Sequence, residues 1–217
     1  MDSAMKKLNQ VVIKLLSFMA IGLFLTACSN NLPTLPGASV HPSLTANPAD
    51  YKYLIGPGDE LNIFVWRNPE ISGTFIVRPD GMVSTSLVED LEVSGKTPTE
   101  LARLIESELA EFIRDPIVTV TVEGFIGPFS EQVRVIGEAF EPQAINYRED
   151  MTLLDVMIQV GGLTEYADGD NARLVRVVSG EQRSYKVLVG KLIQDGEIEA
   201  NVDVLPGDII IIPEAWF

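Results

Sequence analysis

Few side chains in this 217-residue chain could carry chemistry. It holds one cysteine, Cys28, and one histidine, His41. A single thiol closes no internal disulfide and no CxxC metal or redox site, and one imidazole builds no histidine cluster. What the chain has in quantity is carboxylate, with 31 acidic side chains against 16 basic and a net charge of −15. A glycosidase would need two carboxylates roughly 5 to 10 Å apart, one with a raised pKa. So acidic a chain meets that spacing by chance. Asp59, Asp80 and Asp208 stand in the sequences Pro57-Gly58-Asp59, Pro79-Asp80-Gly81 and Pro206-Gly207-Asp208. In such turns a short carboxylate hydrogen-bonds its own backbone, so a turn role is expected for all three and no catalytic residue is assigned. Asp168-Gly169-Asp170-Asn171 has the look of a calcium-loop fragment, but the other ligands and the closing Glu are missing. It is expected to be a plain loop, with no metal and no cofactor. Trp66, Tyr147, Tyr166 and Tyr185 could stack on pyranose rings. Trp66 and Tyr185 lie in strand-like runs beside apolar residues and are expected to fill cores instead. Nucleic acid is excluded as a partner, since its phosphates need a basic footprint that is absent.

The elements that must position these residues begin after a distinct amino-terminal segment. Lys6, Lys7 and Lys14 precede or enter an apolar run from Leu15 to Leu25 that ends in Leu25-Thr26-Ala27-Cys28. That run is too short to cross a bilayer as a stable helix, which needs ~20 residues, and has the layout of a secretory signal peptide over residues 1–27. Cleavage after Ala27 would remove three lysines and one aspartate and leave a charge of −17 over 190 residues. Residues 28–50 are rich in Asn, Ser, Thr and Pro and read as an extended tether. His41 lies in it, a poor place for a general base.

Two small mixed units follow, an α+β class. In the first, 51–124, a Pro57-Gly58 turn precedes Leu61, Ile63 and Val65 on one strand face and Phe64 and Trp66 on the other. Asp80-Gly81 signals a hairpin between two alternating runs. Thr97, Pro98 and Glu100 form a capping box for a helix with a stripe of Leu101, Leu104, Ile105, Leu109, Phe112 and Ile113, stopped by Asp115-Pro116. Ile117 to Val122 supplies a further strand. The Gly/Pro-rich stretch from Gly124 to Ser130 marks the boundary. In the second unit, 131–213, Val133 to Gly137 is a strand, and Thr152 with Asp155 caps a short helix that turns Leu154, Met157 and Ile158 inward and stops at Gly161-Gly162. A hairpin passes through Ser179-Gly180, and a last strand follows Pro206-Gly207-Asp208. Units of this size hold marginal cores alone, so packing against a neighbour is expected.

These residues resemble the outer-membrane polysaccharide export (Wza-like) family. The first unit resembles its polysaccharide export domain through Ile55-Gly56-Pro57-Gly58-Asp59, Val65-Trp66, Val77-Arg78-Pro79-Asp80-Gly81, Thr99-Glu100-Leu101 and Asp115-Pro116. The second resembles its soluble-ligand-binding β-grasp (SLBB) domain through Val135-Ile136-Gly137, Met151-Thr152-Leu153-Leu154-Asp155, Gly161-Gly162 and Leu205-Pro206-Gly207-Asp208. Leu-Thr-Ala-Cys resembles the lipobox of bacterial lipoproteins, which implies a lipid on Cys28; Ser29 after it implies sorting to the outer membrane. The resemblance implies a homo-oligomeric ring of lipid-anchored subunits, folded in the periplasm, that conducts a capsule or exopolysaccharide chain outward above an inner-membrane co-polymerase. Long members add further β-grasp modules and a helix across the outer membrane. Here residues 214–217 are a short tail, so a separate outer-membrane β-barrel is the expected companion, with Trp216 and Phe217 as its contact or that of the lipid interface.

Three functions stay open on the residues alone. A conduit subunit would form rings and turn nothing over. A monomeric outer-membrane lipoprotein would bind a soluble saccharide or other small ligand through its β-grasp unit. A hydrolase would lose activity with one carboxylate pair.

Overall fold

The computed structural model describes residues 42–45 and 47–216. The lipobox, Cys28, His41 and Phe217 lie outside the described residues. The fold is mixed α+β, as expected from the sequence.

The first unit is built on β1 (Glu60–Val65), β2 (Gly73–Ile76) and β5 (Val118–Gly124), an antiparallel sheet in the order β2-β1-β5. Strand alternation in β1 drives Leu61, Ile63 and Val65 into a core shared with Val118 and Val122 of β5 and with Leu101, Ile105 and Leu109 of helix α1 (Pro98–Leu109). The capping box closes as expected. The Thr97 amide donates to the Glu100 carboxylate at 2.8 Å, and the Glu100 amide returns a bond to the Thr97 hydroxyl at 3.3 Å. The helix ends three residues short of Phe112, which is exposed. Pro116 disfavours helical backbone at the residue before it, and Asp115 takes a φ of 50°. The hairpin expected at Asp80-Gly81 is not a ladder between the flanking runs. The Arg78 amide donates to the Met82 carbonyl, but β2 pairs with β1, while β3 (Met82–Val83) pairs with β4 (Leu91–Glu92).

The second unit is a five-stranded sheet in the order β7-β6-β10-β8-β9. It comprises β6 (Gln132–Gly137), β7 (Ala144–Asn146), β8 (Arg173–Val178), β9 (Glu181–Lys186) and β10 (Ile209–Ile212), with helices α2 (Leu153–Gln159) and α3 (Val189–Ile193). β10 lies at the centre, parallel to β6 and antiparallel to β8. Val133, Val135, Leu174, Ile210 and Ile212 form a core with Leu153, Val156 and Met157 of α2 and with Val189 and Leu192 of α3. Ile158, expected inward, is exposed, because the buried stripe of α2 runs through Leu153, Val156 and Met157 to Val160 and leaves the next position on the outer side.

Candidate functional site

The two Pro-Gly-Asp turns share one geometry and put it to different uses. In each, glycine takes the positive φ that a type II turn requires, 92° at Gly58 and 83° at Gly207. The aspartate amide closes the turn on the carbonyl three residues back, Gly56 or Leu205, at 3.2 Å in both. Each carboxylate then accepts the amide of that same residue, Gly56 to Asp59 at 2.9 Å and Leu205 to Asp208 at 2.8 Å. Both aspartates are fully buried.

Asp59 spends its remaining capacity on the connection between the units. Its Oδ1 accepts the amides of Ile126 at 2.7 Å and Gly127 at 2.9 Å, and its Oδ2 accepts the Tyr53 hydroxyl at 2.6 Å. Gly56 allows this approach, since a Cβ there would fall 2.0 Å from the Gly127 carbonyl carbon. The ring of Tyr53 meets Phe125 edge-on at 5.3 Å, while Tyr51, two residues earlier, meets Tyr147 edge-on at 5.0 Å and packs on the second core. One short strap, 51–53, therefore touches both cores. Burial, and then the bond to the Asp59 carboxylate, push the Tyr53 phenol well above its ordinary value of 10.0. Above that value the unfolded chain can release a proton that the folded chain retains, so folding stability falls as pH rises past about 10. Tyr53→Phe should flatten that decline, read as the melting temperature between about pH 9 and 11.

Part of the segment expected to be a free tether is held. Glu131, buried at the start of the second unit, accepts the Ser43 hydroxyl at 2.8 Å, the Leu44 amide at 2.6 Å and the Thr45 hydroxyl at 2.8 Å. Sequence reading missed Glu131 because its partners lie more than 80 residues away. Asp208 is matched differently, by a guanidinium. Arg176 of β8 donates Nε at 2.9 Å and Nη2 at 2.6 Å in a two-pronged pair.

The three buried carboxylates are thus saturated with donors, an arrangement suited to holding backbone and poor for proton transfer. Asp80 is exposed and paired with Arg78, which also reaches Asp90 at 2.5 Å; Pro79 and Gly81 complete that outer turn. In the loop at 168–171, the Asp168 carboxylate accepts the Asn171 side-chain amide at 2.7 Å and the Asp170 carboxylate accepts the Lys191 backbone amide at 3.0 Å. Among the described residues no group of three or more His, Cys, Asp or Glu side chains could hold a metal ion, and no helix is long and apolar enough to cross a membrane.

Two aromatic expectations are overturned. Trp66 is 54% exposed in the turn just after β1 and stands beside the exposed Phe64 on the strand's outer face, ring centroids 6.3 Å apart. Tyr185 is 44% exposed on β9, an edge strand exposed along its whole length. The helix takes the face of β1 bearing Leu61, Ile63 and Val65, and Phe64 is left outward on the other face with Glu60 and Asn62. Tyr147 is buried and Tyr166 exposed. Trp216 is 99% exposed and borders an open groove of about 370 Å³ with Asp168, Arg173 and Glu214.

Residues 47–123 match the model of the polysaccharide biosynthesis/export protein family, and residues 132–187 match the SLBB domain; together they cover more than half of the chain. The chain belongs to the polysaccharide export family. It carries one export domain followed by one SLBB domain. Similar proteins include the EPS I polysaccharide export outer membrane protein EpsA of Ralstonia nicotianae, 28% identical over 187 residues, covering 75% of this chain and 47% of that protein. The exopolysaccharide production protein ExoF of Rhizobium meliloti is 28% identical over 174 residues, covering 74% of this chain and 40% of that protein. The chain spans about half the length of the curated relatives it matches. In this family member the Asp59 turn ties the export domain to the loop that leads into the SLBB domain, and the Asp208 turn braces the SLBB sheet.

Proposed function

We propose that this chain is a subunit of a lipid-anchored ring at the outer membrane that conducts an exopolysaccharide or capsule chain across the envelope, without turnover of its own. The observation that carries the reading is the succession of an export domain and an SLBB domain in one chain, with the loop between them held by the Asp59 carboxylate. The names of EpsA and ExoF, which concern polysaccharide export and exopolysaccharide production, support the substrate class. In this reading Cys28 bears the lipid, the folded domains stand in the periplasm, and an inner-membrane co-polymerase docks beneath the ring. The donor-saturated carboxylates suit a passive scaffold.

The deciding experiment is negative-stain microscopy of the lipidated protein after mild detergent extraction, together with a deletion strain assayed for surface polysaccharide. Rings of uniform diameter and loss of the polymer are expected. Strictly monomeric particles would sink the ring. Cys28→Ser should leave the precursor uncleaved and without lipid in a mobility-shift assay.

A further inference from the structure

The hairpin of β8 and β9 places cations directly opposite one another twice, Arg176 against Arg183 and Arg173 against Lys186. Like charges at facing ladder positions destabilise a sheet. The first pair has its remedy inside the protein, since the Arg176 guanidinium turns into the buried Asp208 carboxylate. The second has none. Among the described residues no carboxylate forms an ion pair with Arg173 or Lys186, in a chain with nearly twice as many acids as bases.

These two cations line an open groove of about 320 Å³ with Asn171, Ser184 and Tyr185. Through Asn171 and Arg173 it continues into the groove of about 370 Å³ that carries Asp168, Glu214 and Trp216. One end therefore presents two positive donors and a hydroxyl. The other presents carboxylates able to accept sugar hydroxyls and an indole whose flat face suits pyranose C–H groups. We propose that Arg173 and Lys186 receive the carboxylate of a uronate-bearing saccharide segment, with the neighbouring sugar lying toward Trp216. This names an acidic polymer as the substrate class and rests on the export reading above. A shallow, open site of this kind binds weakly enough to release a moving chain.

The test is calorimetric titration of the full chain with three probes, galacturonate trisaccharide, its methyl ester and inorganic sulfate. The acid trisaccharide should bind in the millimolar range, and the ester, which keeps the shape and loses the charge, about tenfold more weakly. Arg173→Gln with Lys186→Gln should weaken the acid by a similar factor while leaving the melting temperature unchanged or raised, because the substitutions relieve repulsion. Arg183→Gln, on the opposite face of the hairpin, should stay within about twofold. Equal affinity for acid and ester, sulfate binding as tightly as the sugar, or no heat at about 10 mM ligand would overturn the proposal. A change of oligomeric state in the double variant would also overturn it, by assigning the cations to a protein interface. Rings that bind no uronate would refute this site alone, and binding by a strict monomer would refute the ring alone.

Discussion

Replacing Asp59 with alanine is expected to cost about 3 to 5 kcal/mol, a large share of the stability of a small domain. Three backbone amides, those of Gly56, Ile126 and Gly127, and the Tyr53 hydroxyl all donate to this one carboxylate. Each buried donor left without a partner costs roughly 1 to 3 kcal/mol, and the total is kept below their sum by water entering the gap. Asp59→Asn keeps the shape and one good acceptor oxygen, so its loss should be about half as large. Urea denaturation followed by tryptophan fluorescence measures both. Because two of the four bonds reach the connecting loop, protease cleavage near Ile126 should also rise in the alanine variant. A change below about 1 kcal/mol for Asp59→Ala would show that the turn holds without its carboxylate.

Arg176→Met should be comparably damaging for a different reason. Asp208 is fully buried, and among the described residues its one positive partner is the Arg176 fork. Stranding a buried carboxylate costs about 3 to 5 kcal/mol, because the charge has lost both water and counter-charge. The pair itself is worth much less than that figure. Replacing both members, Arg176→Met with Asp208→Asn, should recover at least half of the loss, since the asparagine still accepts the Leu205 amide without an unpaired charge. Denaturant midpoints of the two single variants and the double close the cycle. Additive losses would mean that Asp208 serves Leu205 and gains nothing from the guanidinium.

Local chemistry was readable in the residues, and long-range chemistry was not. The Thr97–Glu100 and Thr152–Asp155 caps and both Pro-Gly-Asp turns form where spacing placed them, because each is closed by groups within four positions. The same aspartates reach further partners, Ile126 and Gly127 for one and Arg176 for the other, set by strand order rather than by neighbours. Glu131 is one carboxylate among 31 and carries no local mark. Trp66 and Tyr185 show the limit of alternation. Period two does separate the faces of β1, and Phe64 falls on the outward one with Glu60 and Asn62; Trp66 just beyond the strand and Tyr185 on a wholly exposed edge strand are aromatics that nothing among the described residues covers. The Asp80-Gly81 turn was visible as a turn, while its expected ladder yielded to the pairing of β2 with β1.

The central place of β10 governs when this protein can become itself. Arg134 of β6 must wait for Ile209, seventy-five residues further along, before the middle of the five-stranded sheet exists. The first core asks for nothing beyond Val122. A chain emerging amino-terminus first can therefore complete its export domain early, while the SLBB half stays open until Ile209–Ile212 arrives. Parallel pairing at such separation is slow to form. In that interval the uncovered apolar residues of β6 and β8, Val133, Val135 and Leu174 among them, are the part of the molecule most in need of a chaperone.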